Sequence, residues 1–203
     1  MEKQITFQSQ NLNIEGLIDI QDSKEKAVVI THPHPQMGGD MYNNVVESIA
    51  LSYHRKGYTT LRFNFRGAGN SQGNYNNGIG EQEDVHCALK YLSKMGIEKI
   101  DLAGYSFGTW INALLMQKPV EVNIKKLVMV APPVAFLDFS SIIKIPHLQL
   151  IITGSHDEFA PPKLINQMMS DWNPQARLKI IQGADHFSYG IGDDINSCIS
   201  ELI

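Results

Sequence analysis

Cysteine is scarce: Cys87 and Cys198 are the only two in 203 residues, and they stand far apart. Two thiols without motif spacing form neither a disulfide framework nor a paired metal or redox motif, so both read as reduced, partly buried side chains. A basic excess is also missing, since 17 Lys and Arg face 21 Asp and Glu for a net charge of -4. That balance leaves no electrostatic footprint for nucleic acid or anionic lipid. No stretch approaches the ~18 consecutive apolar residues of a membrane-spanning helix. Met1-Glu2-Lys3-Gln4 leads into alternating residues rather than the apolar core of an export signal, so the expected location is the cytoplasm. No internal repeat, charge run or linker divides the chain, and residues 1–203 are expected to form one domain.

What is present is an ordinary apolar share, 43%, arranged in two periods. Ile5 and Phe7, then Leu12, Ile14, Leu17, Ile18 and Ile20, give two strands around a turn at Ser9-Gln10-Asn11. So short a connection predicts an antiparallel hairpin. Ala27-Val28-Val29-Ile30 has the continuous apolar character of a strand buried on both faces. From there, strand and helix alternate. Val45, Val46, Ile49, Ala50 and Tyr53 form one stripe of a helix over Met41–Lys56, behind Asp40 as N-cap. Tyr58–Phe65 reads as a strand, and a helix opening on Glu81, Glu83 and Asp84 follows. Ile100–Ala103, Leu127–Ala131, Leu148–Thr153 and Leu178–Ile181 are further strands. Helices fill Phe107–Gln117, the stretch after Pro161-Pro162, and the region of Ile195, Cys198 and Ile199. Such alternation specifies an α/β chain, with a mostly parallel sheet of about eight strands flanked by helices. The exception is the loop Arg66–Gly80, rich in Gly and Asn, whose length marks it as functional or mobile.

In sheets of this kind ligands gather at the carboxyl ends of the strands. There, Gly104-Tyr105-Ser106-Phe107-Gly108 joins a strand to a helix, the G-x-S-x-G context of a nucleophile elbow. The sharp reversal lifts the serine hydroxyl above the sheet edge, and the helix N-terminus behind it offers unpaired N–H groups. Gly154-Ser155-His156-Asp157-Glu158 and Gly183-Ala184-Asp185-His186-Phe187 follow two later strands, which supplies the order Ser, Asp, His. His32 and His34, two apart, could share a divalent ion, but no third ligand motif accompanies them.

With Thr31-His32-Pro33-His34-Pro35-Gln36-Met37-Gly38-Gly39 and Leu61-Arg62-Phe63-Asn64-Phe65-Arg66-Gly67-Ala68-Gly69-Asn70-Ser71, these pieces span most of the chain. Together they resemble the α/β-hydrolases, and more narrowly the small lidless bacterial hydrolases related to dienelactone hydrolases. Where dienelactone hydrolases have a cysteine nucleophile, this chain has Ser106, which points to general ester chemistry. The resemblance implies Ser106 as nucleophile, His186 as base and Asp157 as the acid that orients it. Glu158 is the adjacent competitor, and Asp185 reads as a turn residue. The oxyanion hole would combine the Phe107 N–H with that of His34, where the family usually has His-Gly-x; Gln36 is the alternative donor, since Pro33 and Pro35 have none.

Only Pro132–His147 fills the interval where many relatives insert a lid. It has room for a short helix over Ala135–Ile143 but for no lid domain, so the pocket should be shallow and open. Phe136, Leu137 and Phe139 are its candidate walls, and Tyr75 on the long loop is a candidate substrate contact. The expected activity is hydrolysis of small carboxylic esters without cofactor or metal, by a monomer or homodimer. A thioesterase or small amidase would use the same residues, and a non-catalytic binding scaffold is the reading from another class.

Overall fold

The computed structural model describes residues 2–21, 25–187 and 192–203. Its strands are β1 (Lys3–Ser9), β2 (Leu12–Asp19), β3 (Lys26–Thr31), β4 (Thr59–Phe63), β5 (Lys99–Tyr105), β6 (Ile124–Val130), β7 (Leu148–Gly154) and β8 (Arg177–Ile181). The helices are α1 (Asn44–Arg55), α2 (Ile79–Lys94), α3 (Phe107–Leu115), α4 (Pro162–Trp172) and α5 (Gly192–Ser200).

All eight strands join one sheet in the order β1-β2-β4-β3-β5-β6-β7-β8. The β1–β2 hairpin is antiparallel, β2 runs antiparallel to β4, and the remaining pairings are parallel. Residues Ala27 to Ile30 of β3 are wholly buried, as a central strand covered on both faces requires. From β3 the chain crosses back to β4, whereas from β4 onward it advances to β5, β6, β7 and β8. Right-handed crossovers in opposite directions place their helices on opposite faces. Accordingly α1 packs on α5, and α2 packs on α3. The reversal of direction opens a crevice between the carboxyl ends of β3 and β5, the preferred ligand position in such sheets.

Local chemistry sets the ends of the elements. Helix α1 begins later than the sequence suggests: Asn43, not Asp40, is its N-cap, with the Asn43 side chain accepting from the Val45 N–H at 3.0 Å. Asp40 instead accepts from the Tyr42 N–H and shapes the turn before the helix. In α2, the buried Glu81 carboxylate accepts from the N–H groups of Asn76 and Gly78, a stronger tie than a diffuse dipole effect. Asp84, read from sequence as a dipole partner, is committed elsewhere. It pairs with Arg66 at 2.8 Å, both side chains being almost fully buried, and it also accepts from the Arg66 N–H. That pair, together with Ser71 donating to the Asn64 carbonyl at 2.7 Å, fastens the long loop to the sheet.

The interval after β6 corrects another expectation. No helix forms over Ala135–Ile143; the segment is a series of turns. Its backbone groups have partners outside a helix: the Asp138 carbonyl accepts from Trp110 Nε1, and the Lys144 carbonyl from Gln117 Nε2. Phe139 turns inward onto Trp172, with ring centroids 5.4 Å apart, and joins the core rather than a pocket wall.

Candidate active site

Ser106 occupies the reversal between β5 and α3 with φ 51° and ψ -120°. This is a sparsely populated region for a residue with a side chain, and surrounding structure must hold it there. The Ser106 N–H donates to the Val130 carbonyl at 2.9 Å. Glycine is required on both sides because Thr31 presses close. A Cβ at Gly104 or at Gly108 would come within 2.4 Å or 2.5 Å of the Thr31 hydroxyl. The Thr31 hydroxyl donates to the Ala103 carbonyl and accepts from Asn112, so it cannot yield.

The structure brings Ser106, His186 and Asp157 together from the ends of three strands. Ser106 Oγ lies 2.9 Å from His186 Nε2. His186 Nδ1 lies 3.0 and 2.9 Å from the two Asp157 oxygens. A carboxylate can only accept, so Nδ1 carries the proton and Nε2 is left as acceptor for the serine hydroxyl. Asp157 is fully buried at its side chain, and its Oδ1 also accepts from the N–H groups of Phe159 and Ala160. Glu158 points into solvent, while Asp185 accepts from the Phe187 N–H in a local turn. In this arrangement a hydroxyl can pass its proton to an imidazole that a fixed anion orients.

The loop after β3 faces the serine. His34 is half-buried, and its Nδ1 accepts from the Gln36 N–H at 3.2 Å, which engages the alternative donor. Among the described residues, neither the His34 N–H nor the Phe107 N–H has an acceptor. Burial pushes the His34 imidazole below its ordinary pKa. His32 is fully buried: Nδ1–H donates to the Pro33 carbonyl at 2.6 Å, and Nε2 accepts from the Phe65 N–H at 2.9 Å. Desolvation lowers its pKa to about 4, against the opposing bond to Pro33. With both nitrogens committed, His32 has no lone pair to share with a metal at His34, and no group of three or more metal-ligating side chains assembles among the described residues.

A cleft of about 290 Å³ opens over Ser106. Phe136 and Leu137 line it, as expected, but Tyr75 does not. Tyr75 stands one layer back, with its ring centroid 4.9 Å from His34 and 5.9 Å from Phe107, because the anchored loop lays it against their outer side. Of the lining residues that escaped the sequence reading, three surround His186. Phe159 stacks 4.7 Å from the His186 ring, Phe187 lies 5.9 Å from it, and the Tyr105 hydroxyl donates to the His186 carbonyl at 2.6 Å. Their adjacency to Asp157, His186 and Ser106 in sequence was the available signal.

Comparison with known proteins agrees with this architecture. Residues 26–146 match the alpha/beta hydrolase fold family. An uncharacterized protein of Rickettsia prowazekii is 32% identical over 98% of this chain and 88% of its own length. Among solved structures, an alpha-beta serine hydrolase homologue from Coxiella burnetii is 31% identical, with a TM-score of 0.87 over 99% of this chain and 97% of that one. A Xanthomonas campestris protein described as a serine hydrolase without lid is 25% identical, with a TM-score of 0.87 over 98% of this chain and 92% of that one. No helix of the described residues is long and apolar enough to cross a membrane. A switch-point crevice with a serine at its base, in a lidless sheet matched over most of its length, places this chain in the alpha/beta hydrolase fold family.

Proposed function

We propose that this protein is a serine hydrolase that cleaves small carboxylic esters through an acyl-enzyme intermediate. The observation that carries the reading is the continuous hydrogen-bonded line from Ser106 Oγ through His186 to the buried Asp157. In the first half-reaction Ser106 Oγ attacks the ester carbon while its proton moves to His186 Nε2. The resulting oxyanion is held by the His34 and Phe107 N–H groups, each such donor being worth roughly 10²–10³ in rate. The carbon–oxygen bond to the alcohol then breaks, and the alcohol oxygen takes the proton from Nε2. In the second half, Nε2 removes a proton from water, the hydroxide adds to the acyl carbon, and the Ser106 Oγ–carbon bond breaks as Oγ is reprotonated. Asp157 balances the imidazolium formed in both halves.

The small cleft and the absent lid favour short acyl groups over buried long chains. Kinship with dienelactone hydrolases rests on the Thr31–Gly39 and Leu61–Ser71 segments, with serine in place of cysteine. A fluorophosphonate probe tests the reading: wild type should be labelled at Ser106 and Ser106→Ala should not. Turnover of p-nitrophenyl butyrate by Ser106→Ala within tenfold of wild type would refute it.

A further inference from the structure

Strand order divides the cleft at Ser106. On the β3 side lie His34, Met37 and Asn43, all contributed by the segment between β3 and α1. On the opposite side lie residues that follow β6, β7 and β8, among them Phe136, Phe159 and Phe187. These three rings form one connected surface around the imidazole. Phe136 packs edge-on to Phe159 at 5.4 Å, Phe159 lies 4.7 Å from His186, and Phe187 lies 5.9 Å from it. Phe136 and Phe187 nevertheless leave 54% and 55% of their surface in solvent. Large apolar side chains exposed side by side at a reactive centre mark a surface that a ligand covers.

The chemistry decides which part of the ligand that is. The oxyanion must lie at the His34 and Phe107 amides, and the departing oxygen must lie within reach of His186 Nε2, which protonates it. The departing alcohol therefore sits on the side of His186, where the three rings are. The acyl substituent is left the β3 side, beside Met37 and Asn43. Among the described residues no Lys, Arg, Asp or Glu lines the cleft, so nothing there compensates a charged group for lost hydration. Resting on the serine-hydrolase reading above, we infer that the Phe136–Phe159–Phe187 surface is a leaving-group site for an uncharged aromatic or bulky apolar alcohol.

The test compares ethyl acetate, benzyl acetate, 4-carboxybenzyl acetate and ethyl hexanoate, with acid release followed in wild type and in Phe136→Ala. Ethyl and benzyl alcohols leave with similar intrinsic ease, so their ratio reports binding. In wild type, kcat/KM for benzyl acetate should exceed that for ethyl acetate at least tenfold, and the 4-carboxyl group should remove most of that gain. Phe136→Ala should lower the benzyl-to-ethyl ratio at least fivefold and leave the hexanoate-to-acetate ratio within twofold of wild type. If Phe136→Ala lowers the hexanoate-to-acetate ratio instead, the rings hold the acyl chain and the assignment is overturned. Unchanged ratios in both series overturn it as well. Absence of both turnover and fluorophosphonate labelling in wild type would mark the failure of the hydrolase reading itself, and the leaving-group site would fall with it.

Discussion

Gly154 lies against the backbone of Ala184 so closely that a Cβ at position 154 would come within 2.2 Å of the Ala184 oxygen. The same carbonyl accepts from the His156 N–H at 2.9 Å, and the Ser155 hydroxyl accepts from the Gly183 N–H at 2.9 Å. The turn with Asp157 and the turn with His186 are therefore a single backbone-to-backbone unit.

Gly154→Ala must push those turns apart, because the obstacle is a peptide group and not the end of a flexible side chain. Overpacking of this kind costs about 1–3 kcal/mol of stability. Displacing the imidazole by about an ångström should cost about 10²-fold in kcat with little effect on KM. Steady-state kinetics on a short ester checks this, and an unaltered kcat would show that the contact does not set the His186–Ser106 distance.

Ser106 holds φ at 51°, where a Cβ is strained by about 1–3 kcal/mol. Glycine relieves that strain but adds up to about 1 kcal/mol of chain entropy to the unfolded state. Ser106→Gly should thus be about 1 kcal/mol more stable than Ser106→Ala, although both lose activity. Urea denaturation of the two variants measures the difference, and equal stabilities would mean that the elbow is relaxed.

Two buried groups should oppose each other in the pH dependence of stability. The Asp101 carboxyl is pushed from 3.8 up to about 6 by burial, against the pull of Lys126 and Tyr58. Its Oδ2 has no hydrogen-bond partner among the described residues. A raised carboxyl pKa means stability that is full below pH 3.8 and drains as pH rises through 6. His32, lowered from 6.5 to about 4, does the reverse, with stability full above pH 6.5 and draining as pH falls toward 4. Each contribution amounts to about 3 kcal/mol, so the two nearly cancel across this window. Asp101→Asn removes one of them. Its stability relative to wild type should rise by about 3 kcal/mol between pH 4 and 6.5 in denaturant titrations. A flat difference would mean that Asp101 ionises as an exposed carboxylate does.

Periodicity in the sequence was enough to read the β–α alternation, because burying one face leaves an unmistakable spacing of apolar residues. The positions of Ser106, Asp157 and His186 were legible for the related reason that each follows a strand run and a turn signal. Asp40 and Asn43 are both good cap residues, and what separates them is that the Met41 N–H and carbonyl are bound to Asn64 and Arg62, outside any helix. Phe136 and Phe139 look alike in sequence, yet one faces the cleft and the other Trp172, since the Ala135 N–H and the Asp138 carbonyl are bound to Phe159 and Trp110 instead of along a helix. Arg66 with Asp84, and His32 with Phe65, are partnerships across the sheet that local pattern does not encode.

Thr31 has a further consequence. Its hydroxyl is wedged against both Gly104 and Gly108, so the strand leading into the His34 loop and the turn holding Ser106 are spaced by one oxygen atom. The two N–H groups at His34 and Phe107 thereby keep their separation without help from any swinging side chain. Under the proposed reading, the gap that receives the oxyanion is therefore set before any ester arrives.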